Sequence, residues 1–436
     1  MVGLTERDRA IWRLAIPAFG ALVAEPLYIL ADTAVVGNLG TSELAGLALA
    51  SQVLLIIAAV FVFLAYGTTA SVSRLLGAGK QREAAHNAVQ GLWLAFAMGV
   101  VLATVAYVFA EPLLRILQGR GAVLENAKIY LQVSLFGLPA LLLMMAGVGY
   151  LRGLQDTVRP LIVAIATALA NLAIEVVLIF GFDYGIGASA LATVIAQWAG
   201  AICYLVWIGR AVQRHDVGLG PDFSVIGRLA VAGFDLFLRT LLLRGSFTVA
   251  TAVAASIGEV ELAAHEVAFA FWSFGAYAMD SIAIAAQALV GTALGAEDAE
   301  EARAIGGRVV AWGVVLGLIA AVVLFALRPF VPTIFSNDTE VIATAGFLFL
   351  FLAAMQPING VVFALDGVLI GAGDLRFLAW AMGAAGLVFI PIALGIGASD
   401  AGIGWLWAAM TIFMVIRAFG LLWRYRTDAW LRLGAV

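Results

Sequence analysis

Residues 11–36 read IWRLAIPAFGALVAEPLYILADTAVV, an apolar run long enough to cross a bilayer as one α-helix. Two carboxylates, Glu25 and Asp32, interrupt it. A charged side chain at the centre of a membrane helix costs roughly 3 kcal/mol on insertion scales. The run therefore predicts a membrane-spanning helix that carries a polar group for a functional reason.

The rest of the chain is similarly rich in apolar residues. Of its 436 residues, 64% are hydrophobic and 12% are charged, a composition outside the range of soluble globular proteins. We predict an all-α integral membrane protein with twelve transmembrane helices. The predicted spans are 11–36, 46–72, 87–110, 128–150, 160–182, 187–209, 229–256, 262–291, 305–327, 341–370, 375–397 and 402–424.

The composition argues against several functions. The longest predicted connection, 210–228, is too short for a nucleotide-binding or catalytic domain. The single cysteine, Cys203, and three scattered histidines lack metal-ligand spacing and supply no nucleophile cluster for a membrane-embedded enzyme. The net charge of −4 without a basic tract argues against a nucleic-acid partner. We expect no enzyme activity, no metal and no cofactor.

The distribution of basic residues predicts the orientation. Most of the 24 Lys and Arg residues fall at the termini or in even-numbered loops, whereas Arg115, Arg120, Lys128 and Arg328 fall in odd-numbered loops. By the positive-inside rule both termini are cytoplasmic, which requires an even number of spans.

The sequence also repeats itself at an offset of 218 positions, which is half its length. The repeat predicts two pseudo-symmetric six-helix lobes, 1–215 and 216–436, that face each other across a central cleft, as in several secondary transporters. The alternative is a duplication kept only for packing. The aligned segments are LGTSELAG at 39 with IGEVELAA at 257, LLGAGKQREA at 75 with ALGAEDAEEA at 293, and GLQD at 153 with GAGD at 371.

The first span has a polar face. Glu25 and Asp32 lie two helical turns apart, so they share a face with Tyr28. Pro17 and Pro26 each remove a backbone hydrogen bond and can kink the helix. The carboxylates within the predicted spans are Glu25, Asp32, Glu175, Asp235, Glu266, Asp280 and Asp366.

Two further spans repeat the polar spacing. Asn171 and Glu175 are four residues apart in the fifth span, and Thr193 and Gln197 are four apart in the sixth. If these faces converge with Asp32, they form a buried pocket that holds and releases a proton. The alternative is a polar network that only fixes helix packing. The positions 218 residues further on are apolar: Ala250, Phe389 and Ala393.

The second half carries its own charges. Arg239 and Arg244 could pair with Asp235 in a structural salt bridge, or contact substrate. Asp280 and Asp366 lie deeper in their spans, where a role in coupling or gating and a role in packing are both open.

Apolar runs rich in aromatic residues and methionine, such as FAFWSFGAY and LFGLPALLLMM, mostly face lipid or other helices. Part of them, including Met145, should line the cleft, where flexible methionine and flat rings suit apolar or cationic ligands.

Four stretches, LADTAVVGNLG, LRGLQDTVRP, MDSIAIAAQALVGTALGA and LDGVLIGAGD, resemble the multidrug and toxic compound extrusion (MATE) transporters, in their DNA-damage-inducible F (DinF) branch. The resemblance implies a V-shaped antiporter that exports amphipathic, often cationic compounds in exchange for H+ or Na+. It makes Asp32 the principal cation-coupling carboxylate, with Asn171, Glu175 and Thr193 completing the pocket. Its proposed proline bend would fall on Pro17.

One departure from the family bears on the coupling ion. The second-lobe carboxylates of other branches have no match here, which favours H+ over Na+. The resemblance also implies a monomer in the bacterial inner membrane. A lipid-linked precursor or polysaccharide flippase of the same superfamily is the alternative, and it would need a strongly cationic cavity, for which Arg239 and Arg244 are the candidates.

Overall fold

The computed structural model describes residues 5–182, 184–399 and 401–435, and these residues form sixteen α-helices without a β-strand. The first nine are α1 (Glu6–Gly37), α2 (Thr41–Phe61), α3 (Phe63–Gly77), α4 (Gln81–Val108), α5 (Ala110–Ile116), α6 (Gly121–Ser134), α7 (Leu138–Gly153), α8 (Val158–Val176) and α9 (Ile186–His215). The others are α10 (Phe223–Ile257), α11 (Glu259–Gly295), α12 (Ala299–Leu327), α13 (Val331–Phe335), α14 (Thr339–Gly371), α15 (Leu375–Gly397) and α16 (Ile403–Arg426).

Eleven helical stretches among the described residues have the length and composition to cross a membrane. They account for every predicted span except the seventh, 229–256. That span lies within α10, a helix of 35 residues that carries Asp235, Arg239 and Arg244. Length alone would allow α10 to cross a bilayer, so its charges need partners inside the protein.

The predicted fourth span is a broken helix. A 3₁₀ turn at Leu135–Gly137 separates α6 from α7, immediately before Pro139. Proline has no N–H to donate to the carbonyl four residues earlier, here Leu135, so the α-helical ladder breaks at this point.

The sequence repeat recurs in the helix packing. A Cβ added to Gly99 of α4 would lie 2.6 Å from Cα of Pro139, and one added to Gly317 of α12 would lie 2.7 Å from Cα of Pro357. Gly317 lies 218 positions after Gly99, and Pro357 lies 218 positions after Pro139. The close approach of these helices therefore requires glycine at equivalent places in the two halves.

A second set of contacts shows the same offset. A Cβ on Gly149 would lie 2.5 Å from the carbonyl oxygen of Ala65, and a Cβ on Gly367 would lie 2.5 Å from that of Ala283. The predicted internal repeat is thus confirmed in the packing of α3 on α7 and of α11 on α14.

We expect Gly367→Ala to destabilise the protein. The new methyl group would meet the backbone of α11, which cannot rotate away, so the helices must separate at a cost of about 1–3 kcal/mol. Thermal unfolding of the purified protein in detergent measures the loss. Gly420→Ala on α16 is the matched control, because no heavy atom beyond the adjacent turns of its own helix lies within 4 Å of its Cβ position. Equal midpoints for the two variants would contradict the packing argument.

The described chain divides into two compact units, and the division falls inside helices. One unit is Gly20–Gly233, and the other combines Phe234–Val436 with the chain before Gly20. Helices α1 and α10 therefore each contribute to both units. The predicted boundary between residues 215 and 216 lies instead in the connection between α9 and α10, and it stays a proposal about the duplicated sequence.

Side-chain contacts explain why the start of α1 belongs to the second unit. Asp8 is fully buried and accepts hydrogen bonds from Arg308 Nε at 2.6 Å and Trp312 Nε1 at 2.7 Å. The ring of Trp12 packs edge-on against Trp312 with centroids 5.0 Å apart. A charge-assisted hydrogen-bond pair and an aromatic contact thus fix α1 to α12.

Candidate functional site

A buried polar pocket lies within the unit Gly20–Gly233, between α1, α8 and α9. Asp32, Asn171 and Glu175, which sequence spacing placed on converging faces, are all buried, with at most 5% of each residue exposed. Ser189 of α9 donates a hydrogen bond from its Oγ to Oδ1 of Asp32 at 2.8 Å. One serine hydroxyl therefore connects α9 to the carboxylate of α1.

A second group of hydrogen bonds centres on the hydroxyl of Thr193. Asn171 Nδ2 donates to Thr193 Oγ1 at 2.9 Å, and Thr193 donates to the carbonyl oxygen of Ser189 at 3.2 Å. The hydroxyl of Tyr28 lies 2.8 Å from the same Oγ1. Because Thr193 has already used its one proton, Tyr28 must be the donor. These bonds join α1, α8 and α9 through neutral groups.

The two carboxylates of the pocket form a pair without a cation. Glu175 lies close enough to Asp32 for the two side chains to interact, and Tyr130 of α6 also reaches Asp32. Neither carboxylate forms a salt bridge with Lys, Arg or His among the described residues, and neither oxygen of Glu175 accepts a hydrogen bond there. Two neighbouring buried carboxylates repel when both are charged, so the pair is suited to hold a proton or a small cation.

An apolar cluster lies beside the polar pocket. Val35, Ile179 and Ala188 pack together, and each lies within one helical turn of a pocket residue on its own segment. Ile179 belongs to a π-helical segment, Val177–Gly181, that directly follows α8 and Glu175. Single π-helical turns of this kind are frequent at functional sites because they re-aim the neighbouring side chains.

The positions in the second half equivalent to the carboxylates and the asparagine of the pocket hold apolar side chains, as predicted. Those equivalent to Tyr28 and Thr193 hold Ser246 and Thr411. Ala250, Phe389 and Ala393 are buried, and Phe389 packs against Phe413 with ring centroids 5.4 Å apart. A fully buried tryptophan, Trp407, stands 218 positions after Ser189. The two carboxylates of the pocket therefore have no counterpart at the equivalent positions of the second half.

The second half instead contains a buried charge cluster. Asp366 of α14 accepts hydrogen bonds from Arg239 of α10 and from Arg417 of α16, the latter at 2.8 Å. All three side chains are less than one-tenth exposed. Of the alternatives that the sequence left open for Arg239, the structure shows a salt bridge, but with Asp366 and not with Asp235. Asp366 is buried on another helix, so it compensates the buried guanidinium of Arg239 without exposing either group to lipid.

The other predicted candidates are spread over both halves. Helix α1 continues through Pro17 and Pro26, and both prolines are half-buried. Met145 on α7 and Asp280 on α11 are also half-buried. The exposed candidates are Glu25 on α1 and Arg244 on α10.

Sequence reasoning did not identify Ser189, Tyr130 or Arg417. Ser189 stands four residues before Thr193, so extending the polar stripe of Thr193 and Gln197 by one turn would have found it. Arg417 was detectable as an arginine within a predicted span. No local pattern marks Tyr130, whose role depends on how α6 packs against the pocket.

The comparisons with known proteins agree with this architecture. The MatE family profile matches residues 17–177 and 236–394. DNA damage-inducible protein F of Escherichia coli (strain K12) is 28% identical, and the alignment covers 99% of this chain and 95% of that protein. Protein DETOXIFICATION 44, chloroplastic, of Arabidopsis thaliana is 29% identical over 98% of this chain and 84% of its own length.

A solved structure shows the same fold. The crystal structure of a MATE protein in the bent conformation superimposes with a TM-score of 0.90 at 23% identity and covers 98% of this chain and 96% of that one. The predicted fold class, an all-α membrane protein of the MATE type, is therefore confirmed. Because the family profile matches both halves of the repeat, the chain belongs to the MatE family, whose members are membrane transporters and not enzymes.

Proposed function

We propose that this transporter is an antiporter that exports amphipathic, mostly cationic organic compounds in exchange for H+, by alternating access. The observation that carries the proposal is the buried pair of Asp32 and Glu175, which has no basic partner among the described residues. Multidrug efflux is the general activity of the family. A buried carboxylate in a membrane helix is by default a candidate for ion or proton transfer.

The pair couples the two fluxes through charge. When neither carboxylate is protonated, the pocket is anionic and attracts a cationic substrate. When a proton enters, the negative charge falls and the attraction for the substrate weakens. The hydrogen bonds among Tyr28, Asn171 and Thr193 do not involve the carboxylates. They therefore join α1, α8 and α9 whether or not the carboxylates are protonated.

We favour H+ over Na+ because a proton needs only one carboxylate oxygen, whereas a metal cation needs several oxygen ligands. The oxygen atoms that could serve Na+ are Oδ1 of Asn171 and the two carboxylate oxygens of Glu175, which accept no hydrogen bond from the described residues. The same pocket could thus bind Na+, and imposed gradients of H+ and of Na+ distinguish the two coupling ions.

A lipid-linked precursor flippase fits less well. Such a protein needs buried basic groups that are free to bind phosphates. Arg239 and Arg417 both bind Asp366, so neither guanidinium is free and half of their positive charge is already compensated.

Proteoliposomes that contain the purified protein and a fluorescent organic cation test the proposal. We expect an imposed pH gradient to drive export without Na+, and an imposed Na+ gradient at constant pH to drive none. If Na+ alone drives export, the coupling ion is Na+. If neither gradient moves any cation tried, the antiporter proposal fails and the flippase becomes the leading candidate.

We further propose that the protein acts as a monomer in a bacterial inner membrane with both termini cytoplasmic. The excess of basic residues in even-numbered loops supports the orientation. Cysteine accessibility labelling at the two termini in intact cells and in inverted vesicles would test it.

A further inference from the structure

A cavity of about 130 Å³ lies at one end of the unit Gly20–Gly233, where α7 ends, α8 begins and α9 ends. Its volume is several times the ~30 Å³ that one water molecule occupies in the liquid, so it admits a group larger than water. Its lining includes Tyr150, Leu151, Arg159, Trp207, Arg210 and Arg214.

The charge of the lining is strongly positive, with three arginines and no carboxylate. Arg159 is half-exposed and pairs with Asp156, which lies outside the lining, at 3.3 Å from Nε to Oδ2. Asp156 also accepts the backbone N–H groups of Val158 and Arg159, so its charge is shared with the start of α8. Arg210 and Arg214 form no salt bridge with any described residue, and they leave the cavity with a net positive charge.

The wall of the cavity is apolar and aromatic. Tyr150 and Leu151 are buried, and the guanidinium of Arg159 lies 5.7 Å from the ring centroid of Trp207. This combination of arginine and tryptophan suits a ligand with an anionic head and an apolar body.

The position along the helix places the cavity at the membrane surface. Helix α9 has 30 residues, which makes it roughly 45 Å long, whereas the hydrocarbon core is about 30 Å thick. Its last two turns, which carry Arg210 and Arg214, therefore reach the headgroup layer.

Only one of the three arginines recurs at the equivalent place in the second half. The positions 218 residues after Arg159, Trp207 and Arg210 hold Phe377, Tyr425 and Asp428, whereas the position after Arg214 holds Arg432. There Asp428 forms a salt bridge with Arg303 at 2.8 Å, so a carboxylate stands where the first half has Arg210. The set of three arginines at these positions is therefore specific to the first half.

We propose that this cavity binds the phosphate headgroup of an anionic phospholipid from the surrounding bilayer. Basic pockets between membrane helices at the headgroup level are a common form of lipid recognition. The guanidinium groups of Arg210 and Arg214 bind the phosphate oxygens, and the wall formed by Tyr150, Leu151 and Trp207 contacts the glycerol and upper chains.

Native mass spectrometry of the full-length protein in detergent tests the proposal, with phosphatidylglycerol and phosphatidylcholine as probes. We expect the wild type to bind phosphatidylglycerol more tightly. The variant Arg210→Gln/Arg214→Gln should weaken that binding by roughly 30-fold, because each basic residue contributes separately to attraction for anionic lipid. Arg210→Lys/Arg214→Lys should retain part of it, since the charge remains.

The matched control is Arg376→Gln/Arg426→Gln, which removes two exposed arginines of the second half without touching the cavity. We expect this control to bind phosphatidylglycerol like the wild type. Equal losses in the two glutamine variants, or equal binding of the two lipids by the wild type, would overturn the proposal. So would displacement of phosphatidylglycerol by millimolar inorganic phosphate, because the ligand would then be a free anion and not a lipid.

Discussion

Asp32→Asn abolishes export driven by a pH gradient and leaves the protein folded. Asparagine has nearly the same shape as aspartate, and its Oδ1 can still accept the hydrogen bond from Ser189 that joins α1 to α9. It cannot take up and release a proton. We expect the rate of substrate export in proteoliposomes to fall to that of empty liposomes, while the elution volume and thermal midpoint remain those of the wild type.

Asp235→Asn on α10 is the control for this prediction. Asp235 also lies within a predicted span, yet it is half-buried and outside the polar pocket. Its replacement should leave export in place. Normal export by a folded Asp32→Asn protein would remove Asp32 from the coupling step, and equal losses in both variants would mean that removing any carboxylate from a spanning helix is harmful.

Asp366→Asn causes the largest loss of stability that we predict. The substitution leaves the guanidinium groups of Arg239 and Arg417 buried without a counter-charge. Breaking a buried ion pair by removing one partner costs about 3–5 kcal/mol, because the remaining charge is uncompensated in a medium of low polarity. The apparent midpoint of thermal unfolding in detergent should fall well below that of the wild type.

Asp428→Asn is the matched control, since it breaks a salt bridge with Arg303 in which both side chains are about half-exposed. Exposed pairs contribute about 0–1 kcal/mol, so this midpoint should hardly change. The double variant Asp366→Asn/Arg239→Met removes one of the two uncompensated charges and should recover part of the loss. If Asp366→Asn unfolds at the same temperature as Asp428→Asn, the cluster does not stabilise the second half.

Much of the candidate site could be predicted because its members obey helical spacing. Asn171 and Glu175 are one turn apart, and Asp32 stands out in an apolar run, so the sequence alone identifies their faces. The repeat was equally visible, and equivalent glycines such as Gly149 and Gly367 make equivalent contacts.

The contacts between distant helices could not be predicted in this way. Arg239 and Asp366 are 127 positions apart, and periodicity within α10 offers only Asp235 as a neighbour. Which helices touch depends on how complete helices pack, and a single sequence contains no direct record of that. The π-helical end of α8 was missed for the same reason, because its apolar residues are those of an ordinary helix.

The contact between Asp8 and Arg308 can form only after Arg308 has been synthesised. The two residues are 300 positions apart in the chain, and a ribosome adds about 5–20 residues per second. Asp8 is therefore synthesised roughly 15–60 s before the arginine that neutralises it. During that interval its carboxylate must stay in contact with water at the membrane surface. Helix α1 thus reaches its final packing only after α12 has been synthesised.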